Sequence, residues 1–384
     1  MSNHSLSLNQ TSGFTPLANA EAQVHFTAYV IVMVIAIPAN IVTIFSFIID
    51  RTLCTNFNLF LLNMAFIDLL TSLFRIGFNA FCIATIRNST WPYGQPLCDF
   101  DGFIQGVVFA ANVYTLMVIA VCRYIAIVHS KQHLITKKVV YIIIVIIWAF
   151  SSLCSVFPII GWNRYRYQPY EHACLPDWSY EKSYPIYIMA TEFVLPMIIL
   201  LYCYTGIFIN LRRNSFRMRT VSELNSGNNE AMKKIAQREG KVTRGMFIIF
   251  LAFVICFAPY SVCMFLLASA FNIPIDKGLM FFCGFMANVN SLLNPIIYAI
   301  LYKRFRQAYY RVLCCCCSKL TFSSSSDHAG CSSNHGLRSL AMGATENKKA
   351  NHSTSPSMKT SNYGSKKYRR RFSFIYNEED INNR

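Results

Sequence analysis

Charge is scarce in this sequence. Only 14% of its 384 residues are Asp, Glu, Lys or Arg, where a soluble protein carries about 25%. Acid is scarcer than base, with 18 Asp and Glu against 35 Lys and Arg. The first 25 residues hold no Lys or Arg, so the basic stretch that opens a cleavable secretory signal is missing. Sustained alternation of polar and apolar residues is absent, which excludes a membrane β-barrel. There is no inverted repeat and no pair of Gly-broken apolar segments, which speaks against a transporter. Two acids inside apolar stretches, Asp68 and Glu192, form no recognised catalytic motif, so an enzyme is not expected.

In place of charge there are apolar runs, at roughly 26–49, 57–84, 99–128, 138–160, 184–211, 242–270 and 278–301. Each is long enough to cross about 30 Å of hydrocarbon at about 1.5 Å per residue. The chain therefore reads as an all-α membrane protein, a seven-transmembrane helix bundle. Its expected parts are an outer tail at 1–25, the bundle at 26–301, a membrane-surface helix with a Cys cluster at 302–317 and a disordered cytoplasmic tail at 318–384. The basic residues set the orientation. They crowd the segment between the fifth and sixth runs (Arg212, Arg213, Lys233, Lys234, Arg238, Lys241) and the C-terminal stretch KKYRRR at 366–371. These face inward, and seven crossings put the N-terminus outside. The net charge of +17 then reflects topology and attraction to anionic inner-leaflet lipid, not nucleic acid.

Three glycosylation sequons, at Asn3, Asn9 and Asn88, fall on the outer face. Two cysteines, Cys98 at the outer start of the third run and Cys174 in the long loop after the fourth, share the oxidising compartment. A disulfide between them would close a loop of about 75 residues, worth about 4–5 kcal/mol in loop-closure entropy. Cys314, Cys315, Cys316 and Cys317 follow the basic, aromatic stretch YKRFRQAYYRVL. Consecutive thiols make poor tetrahedral geometry for zinc. Palmitoylation beside a helix lying on the inner face is the expected use.

Asp68 sits inside LLNMAFIDLLTSL. An ionised Asp there costs about 2.5–3.5 kcal/mol, so it must face the bundle interior. Asn40, Asn290, Ser291 and Asn294 are polar residues of other runs able to join it. The group reads equally as a site for Na⁺ or a proton and as a structural hydrogen-bond network.

These residues spell a pattern. LNMAFID at 62–68, WPYGQPLC at 91–98, CRY at 122–124, Trp148 and Pro158, Pro196 and Tyr204, CFAP at 256–259 and NSLLNPIIY at 290–298 occur in order on successive runs. Over residues 26–317 the chain resembles a rhodopsin-like (class A) G-protein-coupled receptor. The outer loop GWNRYRYQPYEHACLPDWSYEKSYPIYI is similar to that of opsins, with melatonin-like receptors close by. The resemblance implies a receptor of the cell membrane whose helix 6, hinged at Pro259, swings to admit a heterotrimeric G protein. It implies that Arg123 and Tyr124 form the inner latch, that Glu239 holds Arg123, and that Tyr204, Asn294, Pro295 and Tyr298 complete the switch. Arrestin and a receptor kinase would act on the Ser-rich tail.

The departures matter as much. Opsins carry their retinal lysine where this chain has Asn288, and an amide forms no Schiff base. Covalent retinal is not expected. Gln105 stands where amine receptors have an Asp, and Phe257 where Trp is usual. Cys122 replaces the acid that precedes the latch Arg. The ligand, an unidentified small molecule or peptide, would meet Arg75, Asp101, Gln105, Asn112, Glu192, Phe257, Tyr260 and Asn288, unless Arg75 and Asp101 simply pair with each other. A receptor signalling without a ligand, one modulating another receptor, or a photoreceptor with a non-covalent chromophore remain alternatives.

Overall fold

The structure, a computed structural model, describes residues 19–86, 90–169, 171–177, 180–224, 229–263 and 276–322; the side chains at 19, 214–224, 229–239, 241–242 and 315–322 are not part of that description. Among the described residues, seven helices are long and apolar enough to span a membrane. They are α1 (Asn19–Ile49), α2 (58–85), α3 (Gln95–Ile127), α4 (Lys137–Val156), α5 (183–224), α6 (Asn229–Val262) and α7 (Lys277–Leu301). In lipid every backbone polar group must be satisfied within the chain, which is why each run closes into a helix. A short antiparallel hairpin, β1 (Tyr165–Gln168) and β2 (Ala173–Pro176), lies between α4 and α5. An eighth helix, α8 (Lys303–Phe322), follows α7.

Local chemistry sets the helix ends. Thr136 accepts from the Val139 amide and caps α4, and Asp276 accepts from the Leu279 amide and caps α7. Gly94, at φ +78°, makes the turn before α3, whose first turn contains Pro96. The fourth run was expected to reach residue 160, but α4 stops at Val156. Pro158 has no backbone N–H to continue the helical ladder, and the Cys154 carbonyl it would have met accepts from the Tyr184 hydroxyl instead.

The burial pattern is that of a lipid-immersed protein. Val145, Ile160, Ile255 and Ile300 are exposed, while Asn40, Asp68 and Asn294 are buried. In α8 Phe305, Ala308 and Val312, at helical spacing, are buried, and Lys303, Arg304 and Arg306 are exposed. Its Tyr309 hydroxyl lies 2.7 Å from Thr43 Oγ1 of α1, and Arg311 reaches Asp50 at 3.6 Å. This is the amphipathic helix expected after the seventh span.

Two stretches within the described helices have widened turns. Thr71–Ile76 in α2 and Met189–Val194 in α5 are π-helical. One contains Arg75 and the other Glu192. Such widened turns occur frequently at functional sites.

The hairpin is clamped onto α3. Cys174 of β2 is disulfide-bonded to Cys98. Tyr165 of β1 lays its ring against Gly102 and donates its hydroxyl to the Ser155 carbonyl at 2.7 Å. A Cβ at position 102 would overlap that ring. Gly102→Ala is therefore expected to destabilise the receptor by about 1–3 kcal/mol, read as a lower thermal midpoint in detergent; an unchanged midpoint would show that the hairpin can shift freely.

Candidate functional site

The candidate residues fall into three layers. At the inner layer, Arg123 near the end of α3 is buried. Its guanidinium lies over the Phe57 ring, 3.8 Å from the centroid, and Nε donates to Met246 Sδ of α6 at 3.1 Å. Apolar cover and a cation–π contact hold the charge beneath the bundle. Tyr124 faces away from it, with its hydroxyl 3.3 Å from that of Tyr202 and its ring against Gly206. Tyr204 is buried on Phe250. Tyr298 is buried, directs its hydroxyl to Met64 Sδ at 3.9 Å and packs on Phe305 of α8. Cys122 belongs to the apolar core with Phe57 and Ile119. Position 239 lies on α6, but the Glu239 side chain is outside the described residues.

In the middle layer Asp68 is fully enclosed. Asn294 donates to its Oδ2 at 2.8 Å and Asn112 to its Oδ1 at 3.3 Å. Ser72 donates to the Asp68 carbonyl and reaches Ser291 Oγ at 3.5 Å. Asn40 donates to the Ser291 carbonyl at 3.0 Å. Thus Asn294 meets the carboxylate, and Ser291 and Asn40 connect through Ser72 and the backbone. Asn290 is buried but makes no hydrogen bond to Asp68. Asn112, expected in the outer pocket, belongs here. It lies on α3 two turns inward of Gln105, deep enough to reach Asp68.

The outer layer differs most from expectation. Asp101 does not pair with Arg75. Its carboxylate takes both contacts of Gln105 Nε2, at 2.9 Å each, and the Cys174 amide at 2.9 Å. Asp101 thus ties the hairpin to α3 beside the disulfide, and Gln105 orients it. The Asp101 carboxylate and Gln105 Nε2 are thus engaged with each other and with the loop. Phe257 is buried in the core against Phe109 and Phe253. Asn288 gives its amide to the Gly284 carbonyl at 3.0 Å. Glu192 is buried with no hydrogen-bond partner among the described residues; Tyr114, Tyr165, Tyr184, Tyr187 and Cys154 surround it electrostatically.

The space near Arg75 is instead approached by Glu171 and His172, at the turn of the hairpin. Glu171 is buried, with Oε2 facing Gly284 of α7 and with Arg75 and Tyr260 as electrostatic neighbours. Its backbone carbonyl accepts from Asn79 at 3.4 Å. Burial pushes its carboxyl up to about 7 against the pull of Tyr260 and Arg75. His172, at φ +54°, points Nε2 at His25 Nδ1 of α1, 3.1 Å away. Burial, then the neighbouring His25, pushes it down to about 3. Neither residue was singled out from the sequence. The available signal was their place two and three positions before Cys174: a disulfide to the top of α3 forces those residues over the bundle.

Several buried polar atoms of this layer lack a partner: Arg75 Nε, Asn79 Oδ1, Gln105 Oε1, Glu171 Oε1 and Asn288 Oδ1. Buried polar groups of this kind are ordinarily satisfied by a hydrogen-bond partner. No cluster of three or more His, Cys, Asp or Glu suited to a metal occurs among the described residues. Asn3, Asn9 and Asn88, and the side chains of Cys315, Cys316 and Cys317, lie outside the described residues; Cys314 is exposed.

Residues 39–298 match the family described as 7 transmembrane receptor (rhodopsin family). Among similar proteins, the Tachykinin-like peptides receptor 86C of Drosophila melanogaster is 31% identical over 306 residues, covering 76% of this chain and 58% of that receptor. Rhodopsin of Petromyzon marinus is 26% identical over 295 residues, 75% of this chain and 80% of that protein. Melatonin receptor type 1A of Phodopus sungorus is 27% identical over 286 residues, 73% and 77% of the two chains. The squid rhodopsin crystal structure superposes with a TM-score of 0.69 at 23% identity, covering 79% of this chain and 89% of that one, which is a likeness of fold. The chain is a multi-pass membrane protein and belongs to the rhodopsin family of seven-transmembrane receptors, which are signalling receptors and not enzymes.

Proposed function

We propose that this receptor passes an extracellular signal to heterotrimeric G proteins through outward movement of the inner half of α6. The observation that carries this reading is the contact of Arg123 with Met246. A cation near the inner end of α3 is covered by a side chain of α6, so displacing α6 uncovers it. Tyr204 and Tyr298, buried nearby, are the side chains that would meet it afterwards. A signal shifts this equilibrium only by its differential affinity for the two arrangements.

The latch is looser than an acid at position 122 would make it. A core thiol at Cys122 offers Arg123 no charge, which leaves the acid at Glu239 as its proposed partner. Basal nucleotide exchange on a reconstituted G protein is expected to be measurable, and Cys122→Asp is expected to lower it. A basal rate that is unchanged or higher in the variant would overturn this account of the latch. Ion current without nucleotide exchange would overturn the receptor mechanism itself.

The amide of Asn288 forms no Schiff base, so incubation with retinal followed by borohydride is expected to leave no covalent adduct. The outer layer favours a second reading, signalling without a diffusible ligand. Glu171 and His172 of the chain's own loop stand where a ligand would meet Arg75 and Tyr260. In either case Arg75, Glu192, Tyr260 and Asn288 are the proposed pocket residues. Asp68 with Ser72 and the unpaired Asn112 Oδ1 presents hard oxygen donors of the kind that hold Na⁺; a bound cation would keep Asp68 ionised. Glycosylation of Asn3, Asn9 and Asn88, acylation of Cys314–Cys317, and arrestin and kinase action on the tail complete the proposal.

A further inference from the structure

The pair Cys263 and Cys283 has no part in the switch or in the Asp68 network. Cys263 directly follows Val262 of α6, one turn beyond Pro259, and Cys283 lies in the second turn of α7. Their sulfurs are 3.6 Å apart and both side chains are buried. Both are free thiols here. Their depth is fixed by the next residue, Gly284, which faces the Glu171 carboxyl of the outer hairpin. They therefore occupy the same side of the membrane as the Cys98–Cys174 disulfide, the oxidising side. Other buried cysteines, such as Cys122 and Cys256, have no thiol neighbour at bonding range among the described residues, and pack as small apolar side chains.

We propose that Cys263 and Cys283 form a reversible disulfide that staples the outer ends of α6 and α7. A sulfur–sulfur bond of about 2.05 Å requires the two sulfurs to approach by about 1.5 Å, within reach of side-chain rotation and a small helix adjustment. The oxidant is a disulfide carrier such as oxidised glutathione. Cys263, the less buried of the two, gives up its proton and attacks the carrier disulfide, expelling a carrier thiolate that takes up that proton. The second thiolate then attacks the mixed disulfide and expels the other carrier thiol. Two protein thiols become one disulfide, and one carrier disulfide becomes two thiols. The staple restrains α6 on the side of Pro259 opposite Arg123, so closing it opposes the swing that uncovers Arg123. That consequence rests on the G-protein reading; the bond does not.

The test uses the full receptor in lipid nanodiscs, incubated with oxidised glutathione, alkylated and mapped by mass spectrometry without reduction. A peptide linked through Cys263 and Cys283 is expected, beside the one linked through Cys98 and Cys174. Separate alkylation of Cys263 and Cys283, with the other pair still linked, would overturn the proposal. Basal nucleotide exchange is expected to fall about fivefold or more on oxidation, and the Cys263→Ser, Cys283→Ser double variant should be indifferent to it. A linked peptide with exchange unmoved by oxidation would overturn the control of α6. A linked peptide with no exchange in either redox state would instead count against the G-protein reading and leave the staple standing.

Discussion

Cys98→Ser is expected to lower receptor stability by about 4–5 kcal/mol, because it reopens a loop whose ends are 76 positions apart. The loss is localised. The disulfide holds β2 over α3, and with it the turn that carries Glu171 and His172 into the bundle. Asp101 bears on the same strand through the Cys174 amide at 2.9 Å. Asp101→Ala removes that charge-assisted bond and leaves the Cys174 amide and Gln105 without it, at a cost of about 1.5–3 kcal/mol. Because both restraints act on one strand, the double variant should lose less than the sum. Thermal midpoints of the four receptors in detergent, measured under non-reducing conditions, check this. Strict additivity, or a Cys98→Ser receptor as stable as the parent, would show that the hairpin stays in place without either restraint.

The second large effect is a pH profile that the two residues at the hairpin turn shape in opposite directions. Stability rises with pH wherever the unfolded chain binds more protons than the folded one. Glu171 titrates near 4.5 unfolded and about 7 folded. Between these values the folded state holds the extra proton. Its contribution, about 3 kcal/mol, is full below 4.5 and is lost as pH rises through about 7. His172 titrates near 6.5 unfolded and about 3 folded. Its contribution, about 5 kcal/mol, is full above 6.5 and is lost as pH falls toward about 3. From 4.5 to 6.5 the two slopes oppose, so this pair adds little net dependence there. Glu171→Gln exposes the His172 limb, and stability should fall steeply on acidification below 6.5. His172→Asn, chosen because Asn tolerates the left-handed backbone at φ +54°, exposes the Glu171 limb. That variant should lose stability from pH 4.5 to 7. Parallel profiles for the parent and both variants, from pH 4 to 8, would show that the turn is not buried as described. Arg75, Tyr260 and Tyr29 face Glu171 and His25 faces His172, and none is altered by these substitutions.

Much of the molecule was legible in the sequence because the bilayer leaves few options. A run of about 20 apolar residues has only the helix open to it. An acid inside such a run must turn inward, which placed Asp68 in the interior and made an amide of another helix its natural partner; Asn294 is that partner at 2.8 Å. Two cysteines on the oxidising side led to the Cys98–Cys174 bond for the same kind of reason. These are one-dimensional constraints: length, polarity and side of the membrane.

What only the tertiary structure decided is which of several possible partners each polar group takes. Asp101 was as free to meet Arg75 as anything else from its position in the chain, yet it binds the loop it helps to anchor. Asn112 belonged on sequence grounds to the outer pocket, and the depth of α3 brings it to Asp68. The turn carrying Glu171 and His172 is polar and short, and reads locally as an exposed loop. It is buried because a covalent bond to α3, a carboxylate at Asp101 and a ring packed on Gly102 pull its strands down together. Burial of a loop is a sum over distant restraints, and no window of sequence contains all of them. Length and polarity determined that this chain crosses the membrane seven times with its charges turned inward; the packing of helix against loop decided which of those charges meet.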